Sequence, residues 1–509
     1  MKIALLSGDA GCGKSHALSL LYRTLTGMSV TVAVSAMTNR AVGCLAGMGA
    51  VRCVYTLHRL MGLKKDLLDE KMPQSEFEAK YLREYRDARV RFAQMYKSRV
   101  PQGKGSQQHS CESPRPESCA VCSRVIEKMR GDKGPMAGAP PFLGVNVLIV
   151  DEYGLMTSVL LERLLFCLSS FYGPKNGPLI VLCGSVSQLQ PPGGTSERVW
   201  QNDRLEKLLC SSTHLVVNRR QFSDPGYAEA TSYLQFNVVS EEARRIFRSQ
   251  VTVTEKELMD PTYEPDRVRI FHREDLKCAY TAAYVEARKG SPFGPTCLIL
   301  TEDQKRSSEI TPISRRQVLE RAVHALPKLF IMPKNFPAAP GDYLKCKGFW
   351  RGCRVTLIWH MDRSGIRISG DVDVRDTEGT VQDIKFNDKR GFCEFHVKGS
   401  QSHNVYVVGP SEWRCANWTL RVHPLACLVA MNTYECQGCS LNGQVFYHPP
   451  RHFFMSPLKP SVYVALTRVT KRDDLQMTNC NFAENVGSVS IYDERLVSHR
   501  KRVEMNYSS

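Results

Sequence analysis

The stretch Gly8-Asp9-Ala10-Gly11-Cys12-Gly13-Lys14-Ser15 constrains this chain more than any other part of it. It follows Lys2–Ser7, which reads as a short buried strand, and precedes His16–Tyr22, whose leucines suit a helix. The glycines permit a tight loop whose backbone N–H groups wrap phosphates at a helix N-terminus, where the helix dipole favours negative charge. Lys14 can reach the terminal phosphates of such a ligand, and the Ser15 hydroxyl can ligate magnesium. A chance glycine-rich turn would not fill all four fixed positions of G-x4-G-K-S in this context. The pattern predicts an α/β fold that binds ATP with Mg2+ through Gly8, Asp9, Ala10, Gly11, Cys12, Gly13, Lys14 and Ser15.

Such a loop needs a second carboxylate site, and the apolar run Val145–Val150 ends in Asp151-Glu152. At the C-terminal edge of a strand, Asp151 would hold magnesium and Glu152 would polarise the water that attacks the γ-phosphate. A solvated acidic turn is the bland alternative, and it fits poorly after a nearly apolar run. Hydrolysis, beyond mere binding, is therefore expected. A third apolar segment, Pro178–Cys183, leads into Gly184-Ser-Val-Ser-Gln188-Leu-Gln-Pro191-Pro192.

Composition narrows the partners. A net charge of +17 over 509 residues favours polyanions, although basicity alone also serves solubility. The length calls for several domains, and no apolar run approaches the roughly 18 residues of a bilayer crossing. The apolar start breaks at Gly8-Asp9, too early for a secretory signal, which predicts an intracellular protein. The 19 scattered cysteines then read as thiols of a reducing compartment.

With these segments in order, the chain resembles superfamily 1 helicases. Gly184–Pro192 is similar to motif III, G-D-x-x-Q-L-P-P, with Ser185 in place of Asp and Gln190 in place of the first Pro. The resemblance implies that Gln188 senses the γ-phosphate. Thr31–Ala41, with Thr38, Asn39 and Arg40, resembles motif Ia, and Thr56-Leu-His58 resembles the T-x-H segment after it. Both would lie on the DNA side; read singly, they are ordinary polar strand ends, and His58 is a packed histidine. Asn218-Arg219-Arg220-Gln221 resembles motif IV, which implies that Arg220 reaches the triphosphate from a second motor domain.

Ala430-Met-Asn-Thr-Tyr-Glu-Cys-Gln437-Gly438 resembles motif V, with Gln437 and Gly438 kept as nucleic-acid contacts. Asn432 replaces a threonine there, and Glu435 replaces a basic residue, bringing negative charge to a DNA-facing loop unless it turns away. Tyr463–Val469 resembles motif VI, which implies that Arg468 is an arginine finger. The competing reading is that Arg468 snorkels to the surface beside its apolar neighbours.

The collinear segments resemble the RecD-like, 5′-to-3′ branch, superfamily 1B. In the texture of "DEYGLMT" and "AMNTYECQGCSL" they are similar to the herpesvirus helicase–primase helicase subunit and related large-DNA-virus helicases. The resemblance implies two RecA-like P-loop NTPase domains with an inserted helical/loop domain and an inserted small SH3-like β-barrel. Residues 1–63 with 142–214 would form the first motor domain, 64–141 a strand-separating, cysteine-rich insert, 215–344 with 424–509 the second motor domain, and 345–423 the SH3-like insert. It also implies single-stranded and duplex DNA as partners, a primase and other replication proteins beside them, and the host nucleus for a viral enzyme.

Within the first insert, His109, Cys111, Cys119 and Cys122 form H-x-C-x7-C-x2-C, a set that can close a tetrahedral zinc site. Free thiols in a loop are the competing reading. Two other functions stay open from the residues alone. One is a degenerate helicase relative acting as a nucleic-acid-binding or scaffold subunit, suggested by Ser185, Asn432 and Glu435. The other is a P-loop kinase or transferase, which leaves the later segments unexplained.

Overall fold

Six short strands, the central ones apolar, organise the N-terminal part of the chain. The computed structural model describes residues 1–38, 41–42, 44–45, 54–63, 67, 69–84, 145–173, 177–185, 187–189, 197–234, 240–288, 293–303, 313–326, 329–330, 344–358, 376, 378–388, 390–400, 402–438, 441, 443–450 and 459–479. Asn39, Arg40, His109, Cys111, Cys119, Cys122, Gln190, Pro191 and Pro192 lie outside the described residues, as does most of 64–141. The chain divides into two compact units, one built on Met1–Arg219 and one on Arg220–Ile491.

In the first unit the strands are β1 (Lys2–Gly8), β2 (Val32–Ala36), β3 (Val54–Thr56), β4 (Val147–Asp151), β5 (Leu179–Gly184) and β6 (Leu209–Leu215). They form one parallel sheet in the order β3-β2-β4-β5-β1-β6. Near-continuous apolar sequences are what strands buried on both faces require. Val34, Ile149 and Val181 pack with Leu18 of the helix Lys14–Gly27 on one face, while Leu148, Val150, Ile180 and Leu182 alternate to the other and are also buried.

The helix Ser158–Tyr172 begins at Thr157, whose hydroxyl accepts from the Leu160 amide at 3.1 Å. From it the buried Arg163 donates to the carbonyls of Leu67, Asp69 and Met72 and lies over the Phe77 ring. Phe77 and Tyr81, one helical turn apart, are buried and stack, while Glu78 and Lys80 between them are half-buried.

The second unit holds β7 (Val268–Phe271), β8 (Phe293–Pro295), β9 (Leu298–Glu302), β10 (Gly348–Trp350), β11 (Arg354–Leu357), β12 (Glu378–Asn387) and β13 (Phe392–Gly399). It continues with β14 (Val405–Val408), β15 (Ser411–Cys415), β16 (Trp418–Val422), β17 (Leu425–Cys427), β18 (Ala430–Asn432), β19 (Val445–His448) and β20 (Leu475–Met477). A parallel sheet runs β18-β7-β19-β20. An antiparallel sheet runs β14-β13-β12-β11-β17 and shares a core with the parallel one, in which Phe271, Tyr280 and Phe446 meet Phe349, Val355 and Phe395.

Membership of the antiparallel sheet is not contiguous in sequence. β15 and β16 leave it to pair with β9, over a separate core made with the helix Arg315–Ala325. β17 instead joins β11. Trp413, Leu420 and Val422 point to that second core, which is why their strands follow β9.

His423 fastens these parts together. It is 1% exposed, its Nδ1 accepts from the Cys297 amide at 2.8 Å, and its Nε2 faces the Cys393 carbonyl at 2.8 Å. The neutral ring with the proton on Nε2 satisfies both contacts. Burial pushes its pKa down to about 4. A base held below its unfolded value of about 6.5 supports the fold above that value and loses its support as pH falls through the interval toward 4, a loss of about 3 kcal/mol by linkage. Denaturant unfolding followed across pH 7 to 4 should therefore show a decline that flattens in His423→Gln; an unchanged slope in that variant would assign the acid loss to other groups.

Candidate nucleotide site and nucleic-acid motifs

The parallel register brings the candidate catalytic residues of the first unit to one edge. Ser7 pairs with Gly184 and Val150 with Leu182, so β1, β4 and β5 end side by side at Gly8, Asp151 and Gly184. The same edge carries the ends of β2 and β3, where Ala36 aligns with Asp151 and with Thr56. Ligands of open parallel sheets bind at this C-terminal edge.

Gly8–Ser15 forms the turn from β1 into the helix Lys14–Gly27. Gly13, the residue before the helix, has φ of +80°, a left-handed conformation that glycine adopts without strain. The Lys14 ammonium donates to the carbonyls of Gly8 and Asp9 at 2.9 and 2.7 Å, which holds it against the loop. Within the same unit the Arg219 amide donates to the Gly11 carbonyl at 2.9 Å.

Asp151 is buried and Glu152 follows it in a left-handed turn at φ 59°, with its amide donating to Asp151 Oδ1 at 2.8 Å. Burial, reinforced by the Glu152 charge, raises the Asp151 carboxyl to about 7, against the opposing pull of Lys14. The Cys183 thiol is hydrogen-bonded to the same carboxylate. Gly184 packs directly on this turn: a Cβ there would lie 2.9 Å from the Tyr153 amide nitrogen and ring. Ser185, in place of the usual acid, accepts from the Ser187 amide through its hydroxyl at 3.3 Å, so it shapes the turn itself. Gln188 is buried at 5% exposure just beyond.

Of the residues expected to face nucleic acid, Thr38 caps the following turn by accepting from the Ala41 amide at 3.1 Å. His58 lies half-buried in the short helix Leu57–Leu60, where burial lowers its pKa and Glu70 opposes the shift.

In the second unit the segments resembling motifs IV, V and VI are bound to one another through backbone carbonyls. Arg220 donates to the Thr467 carbonyl at 2.7 Å, Gln221 to Val469 at 3.4 Å, and the Tyr227 hydroxyl to Leu466 at 2.9 Å. Asp224 caps the helix Pro225–Tyr233 and takes a two-pronged contact from Arg472, whose hydrogen bonds hold its carboxyl down at about 2. The Leu441 amide donates to the Arg468 carbonyl at 2.9 Å, joining the chain after Gln437-Gly438 to the same cluster.

Arg468 lies just past the helix Lys459–Leu466 and is 1% exposed. Its Nε donates to the Val464 carbonyl at 2.7 Å and its Nη2 to the Thr467 hydroxyl at 2.9 Å. The surface-snorkelling alternative is thus excluded.

Glu435 has turned away from the loop edge. It caps the short helix Thr433–Cys436 together with Asn432 and pairs with the nearly buried Lys277 at 2.8 Å. Sequence reasoning missed Cys183, Tyr227 and Lys277. The Cys183 and Tyr227 positions carry no motif signal. Lys277 carried one: a lone lysine on the inner face of an otherwise apolar helical stretch, Leu276–Val285, needs a buried anion.

Residues 1–194 match the protein family described as an AAA domain. No curated protein matches the chain. Among solved structures, the chain is similar to the Pif1 helicase from Candida albicans, with 17% identity, a TM-score of 0.60, and coverage of 99% of this chain and 95% of that one. Bacteroides Pif1 bound to single-stranded DNA aligns at 13% identity and TM-score 0.59, covering 99% and 95%. Bacteroides Pif1 in complex with ADP-AlF3 and single-stranded DNA aligns at 12% and 0.58, covering 99% and 94%. At these identities the likeness is one of fold: the chain has the α/β architecture seen in Pif1 helicases, and its residues 1–194 are similar to an AAA domain.

Proposed function

We propose that this chain is an ATP-driven helicase that moves along single-stranded DNA, 5′-to-3′. The observation that carries the reading is the shared edge of β1, β4 and β5, which places the phosphate loop, the Asp151-Glu152 pair and the Gln188 turn together. The Pif1-like fold and the packing of Arg220 against the chain beside Arg468 support the motor assignment.

The Ser15 hydroxyl and the Asp151 carboxylate are hard oxygen donors, and Asp151 is a buried acid that a divalent cation would hold ionised. These residues fit magnesium and would hold it, and the ion would supply positive charge that offsets the negative charge of a triphosphate. In this reading, backbone amides of Gly8–Ser15 cradle the phosphates, Lys14 leaves its two carbonyl partners for the terminal phosphate, and Glu152 takes the proton of the attacking water. Gln188 reports the γ-phosphate to the nucleic-acid side. Arg220 and Arg468 stabilise charge in the transition state, which ties turnover to the approach of the second unit. Thr38, Asn39, Arg40, His58, Gln437 and Gly438 line the DNA track.

Strands β11–β14, which fall within residues 345–423, are proposed as the core of the SH3-like insert, which would clamp the strand. Resemblance to helicase–primase subunits extends the proposal to viral DNA replication, with a primase as partner and the host nucleus as location. Zinc in the insert is retained as a proposal on the spacing of His109, Cys111, Cys119 and Cys122 alone. Ser185, Asn432 and Glu435, the departures behind the non-catalytic alternative, each have a structural partner, and Lys14, Ser15, Asp151, Glu152, Gln188, Arg220 and Arg468 all stand in the sequence, which supports the catalytic reading over it. Among the described residues no helix is long and apolar enough to cross a membrane.

ATP hydrolysis should rise with single-stranded DNA, and duplexes with a 5′ tail should unwind in preference to those with a 3′ tail. Absence of any stimulation removes the motor reading, whereas a 3′ preference removes only the polarity. Glu152→Gln should bind ATP normally and lose at least about 10²-fold in turnover, read as kcat against nucleotide Kd. Arg468→Lys, chosen because it keeps the buried charge, should melt near the wild type and lose about 10³-fold in kcat; wild-type turnover would end its role as a finger.

A further inference from the structure

The segment resembling motif V carries a carboxylate where nucleic acid would be repelled, and the fold answers it with buried lysine. Lys277, on the helix Glu274–Ala287, has a side chain 9% exposed and meets Glu435 at 2.8 Å and Glu274 at 2.9 Å. Lys345, on the chain leading into β10, closes on Glu274 from the other side. Asn432 donates to Glu274 at 2.7 Å, its side-chain oxygen accepts from the Glu435 amide at 2.8 Å while its own amide donates to the Glu435 carboxylate at 2.9 Å, and so it joins the cluster to the end of β18. Two lysines and two glutamates balance in charge, and they draw together three segments far apart in sequence.

This balance has a mechanical side. The helix Thr433–Cys436 spans four residues, too few to hold its shape unaided. Its geometry comes from the Asn432–Glu435 capping box, and Glu435 is in turn held by Lys277. The helix hands directly to Gln437, 8% exposed, and to Gly438 at φ +81°. Loss of the Lys277 ammonium would leave an uncompensated carboxylate beside that turn and free Glu435 to rotate toward it.

We propose that Lys277 is a positioning residue for the nucleic-acid-facing turn Gln437-Gly438, acting through Glu435 to fix the turn and cancel its charge. The inference rests on the helicase reading and names a residue that reading does not use.

The test is ATP hydrolysis by the full chain titrated with oligodeoxythymidylate. Lys277→Met should raise the half-maximal DNA concentration about tenfold, with the DNA-free rate and the KM for ATP unchanged. Adding Glu435→Gln should bring the value back to within about threefold of wild type, because the amide oxygen still accepts from Asn432 and the surplus charge is gone. Unchanged DNA dependence in Lys277→Met, a double variant as weak as the single one, or a parallel loss of the DNA-free rate would each overturn the proposal. Should Lys277→Met not fold, Glu435→Gln alone decides: half-maximal DNA at or below the wild-type concentration supports the charge argument, and a weaker response refutes it. A wild-type chain that DNA does not stimulate refutes the helicase reading itself, a result distinct from any of these.

Discussion

The parallel register of the first sheet is the constraint on which the candidate site depends. Because Ser7 lies beside Gly184 and Val150 beside Leu182, three strands distant in sequence end at one edge. Each ends in a residue type that a buried strand could not hold in its interior: a phosphate loop, a pair of acids, a polar turn. A shift of register by two residues would leave the core faces intact and pull these ends apart. Hydrophobic packing of Val34, Ile149 and Val181 against Leu18 therefore sets the alignment of the ends through the strands. Asp151 shows the cost of that placement: carried to the end of a fully buried strand, its carboxyl rises to about 7 through desolvation and the neighbouring Glu152.

In the second unit the ordering force is polar. Arg220, Gln221 and Tyr227 all donate to carbonyls of Leu466, Thr467 and Val469, the stretch around Arg468. These carbonyls lie at and beyond a helix end, where backbone acceptors lack helical partners and must find donors elsewhere. Side chains of the segment resembling motif IV and of the helix after it supply them, so the two arginines share one scaffold. The ion cluster of Glu274, Lys277, Lys345 and Glu435 acts in the same way on the segment resembling motif V. Truncating Glu435 would leave the nearly buried Lys277 with one fewer carboxylate against its charge, and removing one partner of a buried charge costs more than the pair contributes.

How much of this was legible in sequence varies with the range of the interaction. The phosphate loop, the acid pair and the turn after β5 were readable because their chemistry is local: glycines, a lysine, two acids and a glutamine at strand ends. The departures Ser185 and Glu435 looked like decay in one dimension. Ser185 proves to shape its turn with a hydroxyl, and Glu435 faces a lysine 158 residues away. Likewise, β15 and β16 read as members of one small antiparallel sheet, yet they pair with β9, because Trp413 and Leu420 complete a core with the helix Arg315–Ala325.

By itself the sequence determined the α/β class, the polar and acidic residues at the strand ends and a glycine-rich loop of the type that suits phosphate, since each follows from local spacing and from apolar runs of strand length. Only the tertiary structure decided that Arg468 is buried on Val464 and Thr467, that Cys183 meets Asp151, and that Lys277 neutralises Glu435. The last of those contacts joins residues 158 positions apart, and a charged or polar side chain carries no mark of its partner until folding removes both from water and obliges them to meet.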